Sequence, residues 1–560
     1  MKRLLIALLL MTGLVAEPVV AQYSRGMTRH HSYTRGRSYA DLVEVNVREP
    51  GTLEESMPKG MYDRVRMLRV EGPLNDRDLA YITKLAKRSK VYDIDGKSVS
   101  NYLDVDLEYA SVMEKYGSRI NHDVLPRRAF EYASRLRSIV LPDRLKSIGE
   151  RAFGSCYDLE EVLMPSRVIE LGDRAFEDCS NLKYITLPVR LERIGERCFK
   201  DCSDLTRLDL PSGLLSIGKE AFEGTHLTEL YIPARCEIDN DNPGHMSLLK
   251  RFDVDDRNNT YSSIDGTLYD RDGRVLLQYP AARTGRCRVP DGVEEIVERA
   301  FYNSKVSDVE LPETLTRLGR SAFAGCGSLR SIVLQGPLTV IPTAAFEDCK
   351  SLEEIELPSS VTRIDERAFH ECNALRALLY DPGQLRQIGK QAFDRCYELT
   401  SIDLSGVNVI EEKTCYECKA LRSVQLSGRL TSIGKEAFRR CKSLTQFVLP
   451  SMVSIVDKEA FRECTSLNEV ALNEGLLSLG DNALRETAIK RLIIPSTVTK
   501  LGKKVTEKCS QLQRIECLAT TPPELGGESN NKIELYVPAQ SVSAYQDAKN
   551  WKKFKVIKGL

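Results

Sequence analysis

The sequence predicts an α/β chain close to all-β, wound as a solenoid around one long parallel β-sheet. Two short phrases alternate along most of its 560 residues: Leu-x-x-Ile-x-Leu-Pro and Ile-Gly-x-x-Ala-Phe-x-x-Cys. The aromatic position of the second phrase recurs at a period of about 23 residues, which is typical of stacked coils. These aromatic positions are Phe130, Phe153, Phe176, Phe199, Phe222, Phe301, Phe323, Phe346, Phe369, Phe393, Phe438 and Phe461.

The repeat that begins at Leu136 shows how one coil is expected to form. Leu136 and Ile139 belong to the inward face of a strand, and Pro142 ends that strand because proline has no N–H to donate. Gly149 is expected to permit a tight turn, and Phe153 to fill the far side of the coil. No coil can bury its apolar residues alone, so the prediction requires stacking of neighbours.

The N-terminus has the organisation of a secretory signal peptide. Lys2 and Arg3 precede an apolar run from Leu4 to Val15, and small residues end at a cleavage site after Ala21. This run is shorter than the roughly 20 residues that a helix needs to cross a bilayer. We therefore expect an exported chain at the cell surface or outside the cell, with the periplasm as the alternative and no membrane span.

Changes in the repeat pattern divide the chain into seven segments. The predicted segments are a signal peptide (1–21), a disordered basic linker (22–40), an N-terminal cap with first strands and a helix (41–123), a first block of repeats (124–235), a hairpin insertion (236–290), a second block of repeats (291–516) and a C-terminal cap (517–560).

Charge and motif content narrow the classes of function. Lys plus Arg and Asp plus Glu number 80 each, so the chain lacks the basic excess that nucleic-acid binding favours. The sequence contains no nucleophile elbow or phosphate-binding loop, and its histidines other than His30 and His31 are scattered. We predict no catalytic residue, no cofactor and no metal site.

Sixteen cysteines in an exported chain would ordinarily suggest disulfides. Eleven of them occupy one slot of the repeat, where side chains of neighbouring coils run parallel, and parallel Cβ vectors fit a disulfide poorly. We expect a buried ladder of free thiols. Its members are Cys156, Cys179, Cys202, Cys326, Cys349, Cys372, Cys396, Cys418, Cys441, Cys464 and Cys509. Cys236 and Cys287 flank the insertion, and whether they form a disulfide is left open.

The two phrases resemble the BspA-like leucine-rich repeats of bacterial surface and secreted proteins, over residues 124–516. Gly51-Thr52-Leu53 is similar to the leading cap of that family, and the segment around Tyr545 and Trp551 is similar to its terminal cap. The resemblance implies a leucine-rich-repeat solenoid capped at both ends. It also implies surface display and adhesion to host proteins or other bacteria, without catalysis.

Each predicted strand leaves two outward positions per coil, and this face is where we expect a protein ligand. Tyr and Arg dominate interface hot spots, so the predicted anchors are Leu163, Tyr184, Arg207, Tyr231 and Leu379. A solvated face with incidental apolar residues fits the sequence about as well. The predicted function is non-enzymatic protein recognition or adhesion at the bacterial cell surface; the alternative is a structural scaffold in the periplasm or envelope. The oligomeric state does not follow from the sequence.

Overall fold

The computed structural model describes residues 42–88, 91–92, 98–99, 102–116, 119–121, 123–527 and 533–560. The predicted signal peptide and the whole of the predicted linker lie outside these residues. Within them the chain is a parallel β-solenoid, which confirms the predicted fold class.

The longer strand of each coil belongs to what we call the first sheet. Neighbouring strands pair in parallel within groups of coils, and the pairing is interrupted between groups. Its strands are Leu42–Asn46, Met67–Leu74, Leu103–Asp106, Leu136–Val140, Glu161–Leu163, Tyr184–Ile185, Glu229–Ile232, Arg251–Val254, Gly285–Arg288, Val306–Glu310, Ser331–Val333, Glu354–Glu356, Ala377–Leu379, Ser401–Leu404, Ser423–Leu426, Gln446–Val448, Glu469–Ala471, Arg491–Ile494, Arg514–Cys517, Glu534–Val537 and Val556–Gly559.

A second parallel sheet of short strands, which the sequence did not predict, lies after the proline turn of each coil. Its strands are Val124–Leu125, Ser147–Ile148, Glu170–Leu171, Arg193–Ile194, Ser216–Ile217, Glu237–Ile238, Glu295–Ile296, Arg317–Leu318, Val340–Ile341, Arg363–Ile364, Gln387–Ile388, Val409–Ile410, Ser432–Ile433, Ile455–Val456, Ser478–Leu479, Lys500–Leu501 and Glu524–Leu525. Each except Arg317–Leu318 contributes one buried residue, such as Ile148 and Ile194, to the core.

The third side of the coil is a run of tight turns around the Ala-Phe pair. Arg151 and Ser155 have positive φ of 52° and 59°, so the backbone enters the left-handed region twice within this short segment. The N–H groups of Arg151, Phe153 and Ser155 donate to carbonyls of the next coil at 2.7 to 3.0 Å, and those between them close turns within the coil. Every backbone donor of this segment is therefore used, as a buried segment requires.

The glycine of the Ile-Gly phrase serves a different purpose from the one expected. Gly149 does not have a positive φ; a Cβ placed on it would lie 2.6 Å from the carbonyl oxygen of Leu125 in the preceding coil. Gly218 is similar, with the backbone nitrogen of Glu196 at 2.3 Å from the added Cβ. Close approach of neighbouring coils, rather than a turn, is what requires glycine here.

The phenylalanines form stacked columns inside the solenoid. Phe153 and Phe176 have ring centroids 5.1 Å apart and planes 3° apart, and the rings from Phe346 to Phe393 repeat this geometry at 5.4 and 5.5 Å. Offset stacking of this kind adds to the hydrophobic gain of burying each ring.

All sixteen cysteines are free thiols, including Cys236 and Cys287. In the ladder each thiol donates to a main-chain carbonyl of the preceding coil at 3.0 to 3.2 Å. Cys349, for example, donates to the carbonyl of Phe323. Burial raises the pKa of Cys326 to about 12 and that of Cys464 to about 12.

Antiparallel strands interrupt the repeats within the predicted insertion. Tyr261–Ile264 pairs with Thr267–Asp270, which pairs with Val275–Gln278, and this last strand rejoins the second sheet in parallel with Glu295–Ile296. Arg251–Val254 still pairs with the first sheet, so the regular coils extend further into this segment than the sequence predicted.

Short helices lie near the two ends of the described chain. A helix expected within residues 41–123 is present as Asp76–Ala86 and begins with a capping box at Asn75; a further helix spans Leu53–Ser56. At the other end are the helix Val542–Asp547 and the 3₁₀ turns Ala539–Ser541 and Trp551–Lys553.

Aromatic side chains fix the C-terminal segment to the last coils. The Tyr545 hydroxyl donates to the Ala519 carbonyl, and the Trp551 indole donates to the Pro523 carbonyl, both at 2.8 Å. The remaining elements are the 3₁₀ turn Asp239–Asp241, the strand Ala110–Val112, and the antiparallel pairs Val91–Tyr92 with Ser98–Val99 and Glu114–Tyr116 with Arg119–Asn121.

Candidate functional site

The outward side of the first sheet, called the sheet face below, is the surface that the sequence predicted for binding. Each coil presents two side chains on it, and the strand pairing aligns them in two columns. Glu161 is paired with Tyr184 in one column, and Glu229 with Arg251 further along the same column. The second column contains Leu163 and, three coils later, Tyr231.

Four of the five predicted anchors are exposed on the sheet face. Tyr184 is 64% exposed, Leu379 is 50% exposed and Tyr231 is 40% exposed. The side chain of Arg207 is 80% exposed. Leu163 is half-buried, so it contributes less surface than the sequence predicted.

The structure brings four of these residues into one patch. Leu163, Tyr184, Arg207 and Tyr231 come from four consecutive coils, whose separation in a parallel stack is about 4.8 Å. We call this set the aromatic patch. Leu379 lies in the second block of repeats, beside Glu356 of the preceding coil, and does not belong to it.

Two hydrogen-bonding arrangements orient the aromatic patch. The Tyr231 hydroxyl donates to the Asp255 carboxylate at 2.8 Å. Arg257 contacts the same carboxylate through its guanidinium and its backbone N–H, and these contacts hold the pKa of Asp255 well below its usual range. Asp255 therefore stays charged at neutral pH and remains an acceptor for the Tyr231 hydroxyl.

Arg207 forms an ion pair with a residue of its own strand segment. Its guanidinium lies 3.2 Å from Asp209, and both side chains are exposed, so solvent screens the pair. Residues 206–210 form no assigned strand, although Leu208 and Leu210 remain buried in the expected alternation. A hydrogen-bond acceptor on a ligand can replace Asp209 as the partner of Arg207 at little cost in free energy.

The beginning of the sheet face differs from the sequence prediction. Ser138 and Val140 were expected to point to solvent, but they are only 7% and 9% exposed. The Ser138 hydroxyl donates to Asp104 at 2.7 Å, and Arg137 forms an ion pair with the same carboxylate. The strands that precede the repeats therefore cover this coil.

The sequence did not single out a second row of apolar residues on the sheet face. Val333, Val448 and Ile493 are 46%, 64% and 39% exposed and occupy the same column as Leu379. Their outward position followed from the strand alternation. Their exposure did not, because it depends on whether long side chains of neighbouring coils cover them.

Two acidic residues of the sheet face, Asp308 and Glu310, form hydrogen bonds or an ion pair with other side chains. Asp308 accepts from the hydroxyls of Ser307 and Ser331 at 2.6 and 2.8 Å, and Glu310 pairs with Arg286 at 3.0 Å. Across the described part of the chain, no three His, Cys, Asp or Glu side chains are grouped so that they could hold a metal ion. In the same residues, no helix is long and apolar enough to cross a membrane.

A regular parallel solenoid with an exposed repeat face defines the class: a leucine-rich-repeat scaffold, which is generally a non-enzymatic recognition fold. The sequence matches the BspA-type leucine-rich-repeat region in six copies, over residues 123–242, 283–400 and 386–513. The chain belongs to this family. The repeats make it a scaffold for protein interaction.

Solved structures of bacterial leucine-rich-repeat proteins are similar to this chain. A leucine-rich cell surface protein from Faecalibacterium prausnitzii is 24% identical, with a TM-score of 0.44, over 60% of this chain and 92% of that chain. A leucine-rich repeat protein from Bacteroides ovatus is 24% identical, with a TM-score of 0.39, over 72% and 91%. The pneumococcal vaccine antigen PcpA is 17% identical, with a TM-score of 0.38, over 88% and 94%. No curated protein matches the chain.

Proposed function

We propose that this protein is exported and binds a protein ligand at the bacterial cell surface, as a non-enzymatic recognition or adhesion protein. The observation that carries the proposal is the aromatic patch, in which exposed Tyr184, Arg207 and Tyr231 lie on adjacent coils of the solenoid. Tyr and Arg supply much of the binding energy in protein interfaces. Tyr184 and Tyr231 stand on strands, which present them without the entropy cost of ordering a loop.

The ligand test uses the chain without residues 1–21 against an array of extracellular-matrix, host-cell and bacterial surface proteins. Tyr184→Ala and Tyr231→Ala should each weaken binding of the captured protein about tenfold or more. Tyr157→Ala is the matched control, because Tyr157 is 49% exposed but lies on the turn side of its coil. Equal losses in all three variants, or no ligand on the array, would contradict the proposal.

The location is tested separately, by treating intact cells with an external protease. Removal of the protein supports surface display, which also agrees with the signal-like residues 1–21. Survival in intact cells, followed by degradation once the outer envelope is opened, would place it inside the envelope. The second proposal, a periplasmic or envelope scaffold, would then replace adhesion.

A further inference from the structure

A column of arginines runs along the bend between the two sheets, from the first block of repeats into the insertion. Six consecutive coils make the same β-turn there, closed by an N–H to carbonyl hydrogen bond of 2.8 to 3.3 Å. The third residue of the turn is arginine in five of these six coils and glycine in the other. The arginines are Arg144, Arg167, Arg190, Arg235 and Arg257, which we call the arginine column.

Strand pairing on both sides holds Arg144, Arg167 and Arg190 in register, and first-sheet pairing alone aligns Arg235 with Arg257. Val140 is paired with Leu163 four residues before Arg144 and Arg167, and Ser147 is paired with Glu170 three residues after them. Equivalent positions in stacked parallel coils lie about 4.8 Å apart. The guanidinium groups therefore form a line along the axis of the solenoid.

The arginine column is exposed and largely unpaired. All five residues are exposed, and Arg257 pairs with Asp255 at 3.0 Å. Within the described residues, the other four form no ion pair. An open depression of about 620 Å³ lies beside Arg144 and Arg167, where Lys146 neutralises Asp123 at 2.7 Å and Asp143 also contributes to the wall.

The fold does not require arginine at this position. Eight turns of the second block are closed by the same hydrogen bond. Their third residues are Gly292, Thr314, Ser360, Gly406, Arg429, Met452, Gly475 and Thr497. The turn therefore accepts small, polar and apolar side chains, and the concentration of arginine in the first block needs another explanation.

We propose that the arginine column binds a linear acidic polysaccharide lying parallel to the solenoid axis. Guanidinium groups stay charged at all physiological pH and bind sulfate and carboxylate groups well. Two sugar units advance a chain by about the rise of two coils, so charged groups that recur on one side of the polysaccharide stay in register with arginines of alternate coils. An extended acidic peptide repeats its same-side carboxylates every two residues, roughly 6.6 Å, and loses this register.

Neighbouring charges make a broad anionic surface a poorer fit than a single chain. The column is one side chain wide, and carboxylates of the second sheet flank it at Glu170, Glu192 and Glu237. A membrane of acidic lipids would bring its charges against these carboxylates, which is unfavourable. A single polymer can follow the arginines and avoid them.

The test measures heparin binding by the chain without residues 1–21 across a salt series. Heparin should bind with an affinity that falls as salt rises, and neutral dextran should not bind. The triple variant Arg144→Gln, Arg167→Gln and Arg190→Gln should lose about tenfold or more in affinity. The control triple Arg320→Gln, Arg386→Gln and Arg422→Gln removes the same charge from exposed positions off the column and should bind like the parent chain.

A gain-of-binding variant tests the register itself. Gly213 is the one turn of the six that lacks arginine, its φ is not positive, and an added Cβ would meet only the Val189 carbonyl oxygen at 3.5 Å. Gly213→Arg should therefore fold normally, bind heparin several-fold more tightly and show a steeper salt dependence. Equal losses in the two triple variants, no heparin binding, or tighter binding to single-stranded DNA or acidic lipid vesicles would overturn the proposal.

Discussion

At the scale of single residues, the cysteine slot shows how one small side chain satisfies two demands. The side chain in this slot lies in the apolar core, yet a main-chain carbonyl of the preceding coil points at it. A thiol meets both, because it packs as a small hydrophobe and is a weak donor. The Cys349 thiol at 3.2 Å from the Phe323 carbonyl is one of eleven repetitions of this contact.

The first prediction is that the native thiols resist alkylation. Burial raises the pKa of Cys326 and Cys464 to about 12, so at pH 8 they are protonated as well as inaccessible. Thiol titration at pH 8 should count sixteen reactive groups in denaturant and few in the native protein. Cys287, half-buried with its pKa raised to about 11, should be the first to react.

Mass spectrometry after mild alkylation identifies which thiol reacts first. Cys287→Ala serves as the control and should remove the early phase without altering the rest. Rapid labelling of the ladder cysteines in the folded protein would contradict this account.

At the scale of elements, the turns of each coil are set by backbone packing between coils. Two residues per coil, such as Arg367 and Glu371, have φ of 58° although neither is glycine. A non-glycine residue in this region costs roughly 1–2 kcal/mol. The hydrogen bonds from these turns to the next coil offset that cost, since without them the buried donors would be unsatisfied.

We predict that Gly218→Ala destabilises the protein by about 1–3 kcal/mol, because its Cβ would lie 2.3 Å from the backbone nitrogen of Glu196 and the backbones of the two coils must shift to admit it. Gly428→Ala is the control: its φ is not positive, and nothing lies within 4 Å of an added Cβ. Chemical denaturation of both variants measures the difference. Equal stability of the two would show that coil spacing does not require glycine.

At the scale of the whole molecule, the buried apolar residues form two clusters, one from Val43 to Leu277 and one from Tyr269 to Phe554. They meet at the antiparallel strands of the insertion, where the half-buried Val297 packs against both. In a solenoid each coil contacts mainly its neighbours, so destabilisation is expected to stay close to its source.

We therefore predict that Phe369→Ala, which opens a cavity in the second cluster, costs about 3–5 kcal/mol there and leaves the first block nearly unchanged. Phe369 is fully buried and stacks on Phe346 and Phe393. Hydrogen-exchange mass spectrometry should show faster exchange in peptides of residues 323–420 than in peptides of residues 136–232. Equal acceleration in both blocks would indicate a single cooperative unit.

Particular residues show how far the sequence could go toward the binding surface. The period-two alternation placed Tyr184 and Tyr231 on the sheet face, since side-chain direction in a strand is a local property. It also placed Ser138 and Val140 there, although the preceding strands bury them. Residues distant in the chain cover these two side chains, and the local sequence around Ser138 and Val140 carries no sign of that.

By itself the sequence determined the coil, the strand, the thiol slot and the stacked phenylalanines, because each repeats at a fixed spacing and each repetition meets the same surroundings. Only the tertiary structure decided the second sheet, the reason for Gly149 and the line formed by the arginine column. These depend on the separation and register of neighbouring coils. A period of about 23 residues indicates that coils stack. Which atoms of neighbouring coils come into contact depends on how their backbones pack.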